Sequence, residues 1–260
     1  MAFLQLQFHS DALMVQVSVN VILPERATTM IGMDAKGEST FKTLYLLHGL
    51  SDDHSIWMRR TAIERYASEY NIAVVMPAVG RSWYTDTVGG EKYLTFVTEE
   101  LPDKCRSFFK GMSEKPEDNI IAGLSMGGYG AIKSALTHPE RFGMCASLSG
   151  SLDITALERI GLLPEWRCIF DHNMQSPKEL AGTEHDLFYL ADQRKEQGIP
   201  FPKTFIWCGT EDWLLDSNNR FSAHLDDLGV EHEYRTSEGN HSWKWWDLHI
   251  QEVLKFFFAE

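Results

Sequence analysis

The sequence predicts an α/β fold, a mostly parallel twisted sheet with helices on both faces. Three features predict it. Short, continuously apolar runs recur along the chain, as strands buried on both faces require. Helix-like stretches separate those runs, which implies right-handed strand–helix–strand units. The first strands instead alternate apolar and polar residues, so the sheet starts with an antiparallel, half-buried pair.

The elements follow in order. Val15, Val17, Val19 and Val21 alternate with Gln16, Ser18 and Asn20, and Leu4–Phe8 is a weaker version of the same pattern. The continuous runs are Thr43–Leu47, Ile72–Met76, Asn119–Ala122, Met144–Leu148 and Thr204–Cys208. Helical stretches are expected at about 56–70, 91–110, 126–137, 217–229 and 243–258. The segment from about 151 to 203, with Trp166, Phe170, Phe188 and Tyr189, breaks the alternation. It is long for a connection, and reads as a short insertion covering the site.

The chain has 260 residues, 43% of them hydrophobic, which suits one domain spanning 1–260 with a sizeable core. Its formal charge is −13. A surface this acidic repels phosphate backbones and lacks a polybasic membrane anchor, so neither nucleic acid nor membrane is expected as a partner. The N-terminal residues have no basic segment followed by an apolar run, and read as strand rather than signal peptide. Cys105, Cys145, Cys168 and Cys208 are scattered, and are expected to be buried free thiols in a reducing cytoplasm. The sequon Asn240-His241-Ser242 reads as chance, because a glycan there would block the site proposed below.

Gly123-Leu124-Ser125-Met126-Gly127 is the G-x-S-x-G of the chain. A strand-like run enters it and a helix-like run leaves it, the context of a nucleophile elbow and hence of an α/β-hydrolase fold. The glycines let neighbouring backbone approach a serine on a strained turn. The following helix directs its N–H groups and positive dipole end at charge forming there. Read as a nucleophile, Ser125 needs a base and an acid, which in this fold follow in that chain order's reverse: acid, then histidine. His241 lies on a late loop before the last helix, whereas His224 and His249 fall inside helical stretches and His232 opens a strand. Asp212, in the exit loop of the strand after the insertion, is the expected acid, orienting the imidazole and stabilising its charged form. Glu211 and Asp216 are the alternatives, and Asp216 also fits as a helix N-cap.

The oxyanion donors are expected to be the backbone N–H groups of Met126 and of Leu50, in the loop His48-Gly49-Leu50. Asp52-Asp53-His54 reads as a helix-start loop, not a metal site, since no ligand spacing accompanies it. Trp57, Trp83, Tyr84, Trp213 and Trp243 flank the motif loops and are candidates for the walls of an acyl or alcohol pocket.

Six segments carry a resemblance: LYLLHGLSDDHSIW, VVMPAVGRSWYTDT, IAGLSMGGYGAIKSAL, ASLSGSLD, WCGTEDWLLDSN and EGNHSWKWWDLHI. Together they resemble the putative-esterase family. That family includes esterase D (S-formylglutathione hydrolase), tributyrin and acetyl esterases, feruloyl and acetylxylan esterases, and the mycolyltransferases. The resemblance is strongest to the cytoplasmic tributyrin-esterase branch of Gram-positive bacteria. It implies an α/β-hydrolase fold, no cofactor, activity on short-chain acyl esters and, by analogy, a homo-oligomer. It also carries nucleophile, acid and base onto Ser125, Asp212 and His241. The chain departs from the esterase D branch at Leu124, where that branch has histidine, which argues against glutathione thioester hydrolysis.

The leading expectation is a serine carboxylesterase for acetyl to butyryl esters. The alternative is a carbohydrate esterase acting on acetylated xylo-oligosaccharides or feruloyl esters, so that the small-molecule partner is an acylated sugar. Behind these stand an S-formylglutathione-type thioesterase and a non-catalytic hydrolase fold used for binding.

Overall fold

The computed structural model describes residues 1–25, 29, 40–157 and 161–258. Its centre is an eight-stranded sheet. β1 (Ala2–Ser10) and β2 (Val15–Leu23) form an antiparallel hairpin. β3 (Thr43–Leu47), β4 (Ala73–Pro77), β5 (Asn119–Leu124), β6 (Met144–Leu148), β7 (Lys203–Gly209) and β8 (Glu233–Ser237) follow. The spatial order is β1-β2-β4-β3-β5-β6-β7-β8. β2 pairs antiparallel with β4, and every pair from β4 to β8 is parallel. The antiparallel start and parallel remainder are those the sequence predicts.

The helices are α1 (Ile56–Arg60), α2 (Ile63–Tyr70), α3 (Tyr93–Thr95), α4 (Leu101–Phe108) and α5 (Met126–Thr137). After these come α6 (Leu163–Ile169), α7 (Leu187–Glu196), α8 (Leu215–Asp227) and α9 (Trp243–Phe258). The alternation of strand side chains divides the core in two. Tyr45, Leu47, Val75, Ile121 and Cys145 face one side, with Met126 and Tyr129 of α5 and Phe221 of α8. Leu44, Leu46, Val74, Ala122 and Ala146 face the other, with Trp57 of α1, Ile63 of α2 and Ile250 of α9. Period 2 along each buried strand thus supplies both helix layers with an apolar floor.

Two predicted helices are interrupted. The stretch at 56–70 breaks at Thr61, whose backbone is extended. Its hydroxyl donates to Trp57 O at 2.6 Å, ending α1, and accepts from Ile63 N–H at 3.2 Å, starting α2. The stretch at 91–110 is helical from 93 to 108 but carries a π-helical segment at Phe96–Glu100, just before Pro102. Proline has no N–H to give the carbonyl one turn back, so the ladder re-registers there.

The insertion is expected to cover the site. Its described residues form α6, α7 and two short 3₁₀ turns, at Ile154–Ala156 and Pro177–Leu180. They buttress one wall rather than roof it. Trp166 packs edge-on against Trp83, centroids 5.1 Å apart, and Glu165 accepts two hydrogen bonds from Arg81 at 2.6 and 2.7 Å. Trp166 and Phe170 are buried in this contact, which leaves them no face over the site. All four cysteines are free. Cys105, Cys145 and Cys208 are buried as expected, but Cys168, on α6, is exposed.

Candidate active site

β3, β5, β6 and β7 run parallel, so their C-terminal ends share one edge of the sheet. Ligand sites of open α/β sheets lie off that edge. Ser125 follows β5 directly, with φ 53° and ψ −117°, a backbone conformation that is costly for a residue with a side chain. The turn is this tight because of its glycines. A Cβ on Gly123 would sit 2.5 Å from the Gly127 carbonyl carbon, and one on Gly127 would sit 2.7 Å from the carbonyl oxygens of Leu47 and His48. Ser125 N–H donates to Leu148 O at 3.0 Å, tying the turn to β6.

Asp212 and His241 arrive on the neighbouring loops after β7 and β8. Backbone bonds pair these loops: Thr210 N–H donates to Ser237 O and Glu211 N–H to Gly239 O, each at 2.8 Å. Gly209 is required for this approach, since a Cβ there would meet Gly239 O at 2.2 Å. The result is a continuous chain of hydrogen bonds. His241 Nε2 lies 3.0 Å from Ser125 Oγ, and Nδ1 lies 2.9 and 3.1 Å from the two Asp212 carboxylate oxygens. A carboxylate only accepts, so Nδ1 carries the proton and Nε2 offers its lone pair to the serine hydroxyl. The Asp212 side chain is fully buried and also accepts Leu214 N–H at 2.9 Å, while His241 is 21% exposed. That gradient leaves the imidazole open to substrate and its orienting group shielded from water.

Of the alternatives, Glu211 is exposed and absent from this chain of bonds. Asp216 is not the helix N-cap, a position taken by Leu214; it lies in the first turn of α8 and pairs with Arg220 at 3.2 Å.

A cavity of about 450 Å³ opens at Ser125 and His241. Its apolar wall includes Leu50, Leu124, Met126, Trp83, Trp213 and Trp243. Ser51, Asp52, Ser151 and Ser242 supply polar edges. Among the described residues of the insertion, Ser151 is the one that reaches it. Leu50 and Met126, the expected donors, therefore both border the space in front of Ser125.

Trp57 and Tyr84, expected on this wall, do not line the cavity and lie buried in the core beneath it. The reason is their polar ends. Trp57 Nε1–H donates to Leu47 O at 3.0 Å, and Tyr84 O–H donates to His48 O at 2.8 Å. A buried indole or phenol takes such a partner wherever the fold offers one. Both thus hold the start of the loop that leads to Leu50. His48 does so as well. Its Nε2 accepts Val79 N–H at 3.1 Å and its Nδ1 meets Gly49 O at 2.7 Å, so Nδ1 carries the proton. Burial holds the His48 pKa below its ordinary value, which keeps this ring neutral.

Trp246 is a wall residue that sequence reasoning missed. It meets the His241 ring edge-on at 4.9 Å and donates to Ser149 Oγ at 3.1 Å. The available signal was its spacing: Trp243 and Trp246 are one helical turn apart on α9, on one face. Asp53, by contrast, behaves as a helix-start residue, accepting Ser55 N–H at 2.8 Å and Ser55 Oγ–H at 2.6 Å just before α1.

The family model described as "Putative esterase" matches residues 10–257. The chain belongs to the putative esterase family. It is 30% identical, over 98% of each chain, to an acetyl esterase from Caldicellulosiruptor saccharolyticus. Two solved structures from Staphylococcus aureus are similar throughout. One is the fluorophosphonate-binding serine hydrolase FphF, substrate bound, at 34% identity and TM-score 0.88, covering 100% of this chain and 99% of the other. The other is described as the S-formylglutathione hydrolase FrmB, at 34% identity and TM-score 0.85, covering 99% of each chain. This putative esterase is accordingly an α/β-hydrolase-type enzyme of the serine esterase class.

Proposed function

We propose that the chain is a serine carboxylesterase that hydrolyses short-chain acyl esters, acetyl to butyryl, through an acyl-enzyme on Ser125. The observation that carries this reading is the unbroken Asp212–His241–Ser125 hydrogen-bond chain at the mouth of an aromatic-walled cavity. The acetyl esterase relative supports the acyl class.

In this reading His241 Nε2 takes the Ser125 hydroxyl proton as Oγ attacks the ester carbonyl. Asp212 holds the imidazole in its productive tautomer and stabilises the imidazolium without taking its proton. The N–H groups of Met126 and Leu50 receive the oxyanion, and the N-terminus of the 12-residue α5 adds its dipole. His241 then protonates the leaving alcohol. Water enters, loses a proton to His241 and cleaves the acyl-enzyme by the same steps in reverse. None of this needs a cofactor. Trp83, Trp213 and Trp243 serve as the walls that select small acyl groups, with Trp246 behind the base. The free thiols and the family branch resembled support a cytoplasmic setting; among the described residues no helix is long and apolar enough to cross a membrane.

The test is turnover of p-nitrophenyl esters of rising chain length. The reading requires turnover of acetate and butyrate that falls for longer chains and disappears in Ser125→Ala. Turnover that is undetectable in the unmodified protein, or that survives in Ser125→Ala, overturns it.

A further inference from the structure

Asp52 stands in the candidate active site but has no part in the proton transfers. Its place is fixed by the position a side chain on Gly49 would occupy. That point lies 3.0 Å from Asp52 Oδ2 and 3.8 Å from Ser125 Cβ. The carboxylate and the proposed nucleophile therefore flank one small volume, on the loop that presents Leu50.

Three further observations bear on what Asp52 does there. The residue is part-buried and lines the cavity, in company with Leu50, Leu124, Trp83 and Trp243. Among the described residues no cationic side chain forms an ion pair with it, whereas Asp53 next door is turned away and bonded to Ser55. Gly49 N–H is its neutral donor, and the charge of Arg60 acts on it without an ion pair and less strongly than the like charge of Asp53 beside it. Partial burial, joined by the neighbouring Asp53 charge, holds its pKa above the ordinary value against the opposing pull of the Gly49 N–H and Arg60.

We propose that Asp52 is a specificity-determining residue that sorts esters by charge, admitting neutral and cationic ones and rejecting those with a negative group near the scissile bond. The inference rests on the esterase reading of the same cavity and names its substrate class more narrowly. The physical basis is direct. An anionic substrate group would enter a cavity with apolar walls and meet an unpaired carboxylate. Two like charges roughly 7 Å apart at an effective dielectric of about 20 repel enough to lower kcat/KM by about tenfold or more. A substrate hydroxyl or ammonium group meets an acceptor instead. The formal charge of −13 adds a weaker, salt-screened repulsion at longer range.

The test compares matched pairs of esters that differ in one charge. On the acyl side the pair is p-nitrophenyl hydrogen succinate and its methyl ester. On the alcohol side it is 4-acetoxybenzoate and methyl 4-acetoxybenzoate. The readout is the neutral-to-anionic ratio of kcat/KM in the unmodified enzyme, in Asp52→Asn and in Asp52→Glu. The expected ratio is about tenfold or more for at least one pair, collapsing toward that of the uncatalysed reaction in Asp52→Asn and persisting in Asp52→Glu. Equal ratios in the unmodified enzyme and Asp52→Asn overturn the proposal. If Asp52→Asn does not fold, the unmodified enzyme decides: a neutral-to-anionic ratio no greater than that of the uncatalysed reaction for both pairs also overturns it. Failure of the unmodified enzyme to cleave even the neutral esters counts against the esterase reading instead, so the two failures are distinguishable.

Discussion

His241 and His185 sit beside the same helix, α5, and their partners give them opposite chemistry. His241 meets the N-terminal end of α5, where its Nε2 faces Ser125 and its Nδ1 faces the buried carboxylate of Asp212. His185 meets the middle of α5, where its Nδ1 lies 3.1 Å from Lys133 Nζ. Lys133 is 1% exposed, and among the described residues its ammonium is hydrogen-bonded to neutral groups, the hydroxyl of Thr85 and the imidazole of His185. The charges of Glu184 and Asp86 act on it from farther off and offset only part of the cost of burial. An imidazole beside an anion gains a proton readily in a transition state. One beside a buried amine cannot, and desolvation with the Lys133 charge pushes the His185 pKa down to about 3. The same residue type, against the same helix, becomes a candidate base in one place and a neutral acceptor in the other.

The largest expected effects test the His241 end. Ser125→Ala and Asp212→Asn should each lower kcat/KM on p-nitrophenyl acetate by roughly 10⁴-fold. The double variant should be little worse than Ser125→Ala, because the three groups act as a unit. His185→Asn, measured in the same assay, should stay within about threefold, since a neutral acceptor is retained and the ring touches no reacting atom. A loss comparable to that of Asp212→Asn would erase the contrast between the two histidines.

The next effect is on stability against pH. Burial lowers the Lys133 pKa from its ordinary 10.5 to about 7. Between those values the unfolded chain binds a proton that the folded chain does not, so stability should rise as pH increases from about 7 toward 10. The His185 shift, from 6.5 to about 3, has the same sign: stability should fall as pH drops through that window. Urea midpoints at pH 7 and pH 10 give the first slope, and Lys133→Met should flatten it. An unchanged slope in that variant would show that Lys133 is charged in the fold. The smallest effect concerns the loop before Leu50. Tyr84→Phe should cost about 1 kcal/mol of stability in denaturant melts, the loss of one buried hydrogen bond to His48 O.

Chain order explains why Ser125, Asp212 and His241 were legible before any coordinates. Ser125 and Asp212 lie just after buried strands that were plain from their apolar runs. His241 follows the polar, half-buried β8 and was placed by its position on the last loop before α9. The same reasoning could not say which way a side chain turns. Trp57 and Tyr84 sit beside motif loops in sequence, yet their polar atoms found backbone carbonyls below the cavity rather than substrate space above it. Lys133, in the run GYGAIKSAL, looks like an ordinary helix cation, but α5 is covered on nearly every side, so its amine has no route to water. The interruptions at Thr61 and before Pro102 depend on one hydroxyl and one missing N–H, which hydrophobic periodicity does not register. Asp52 was legible as part of an acidic loop, while its distance from Ser125 is a property of the fold alone.

The central claim is that Ser125 is the nucleophile, and labelling by a fluorophosphonate probe tests it most directly. The folded protein, digested and mapped by mass spectrometry, should carry one adduct, on the peptide containing Ser125, and none in folded Ser125→Ala. An adduct on any other residue, or a folded protein that ignores the probe, would contradict the account.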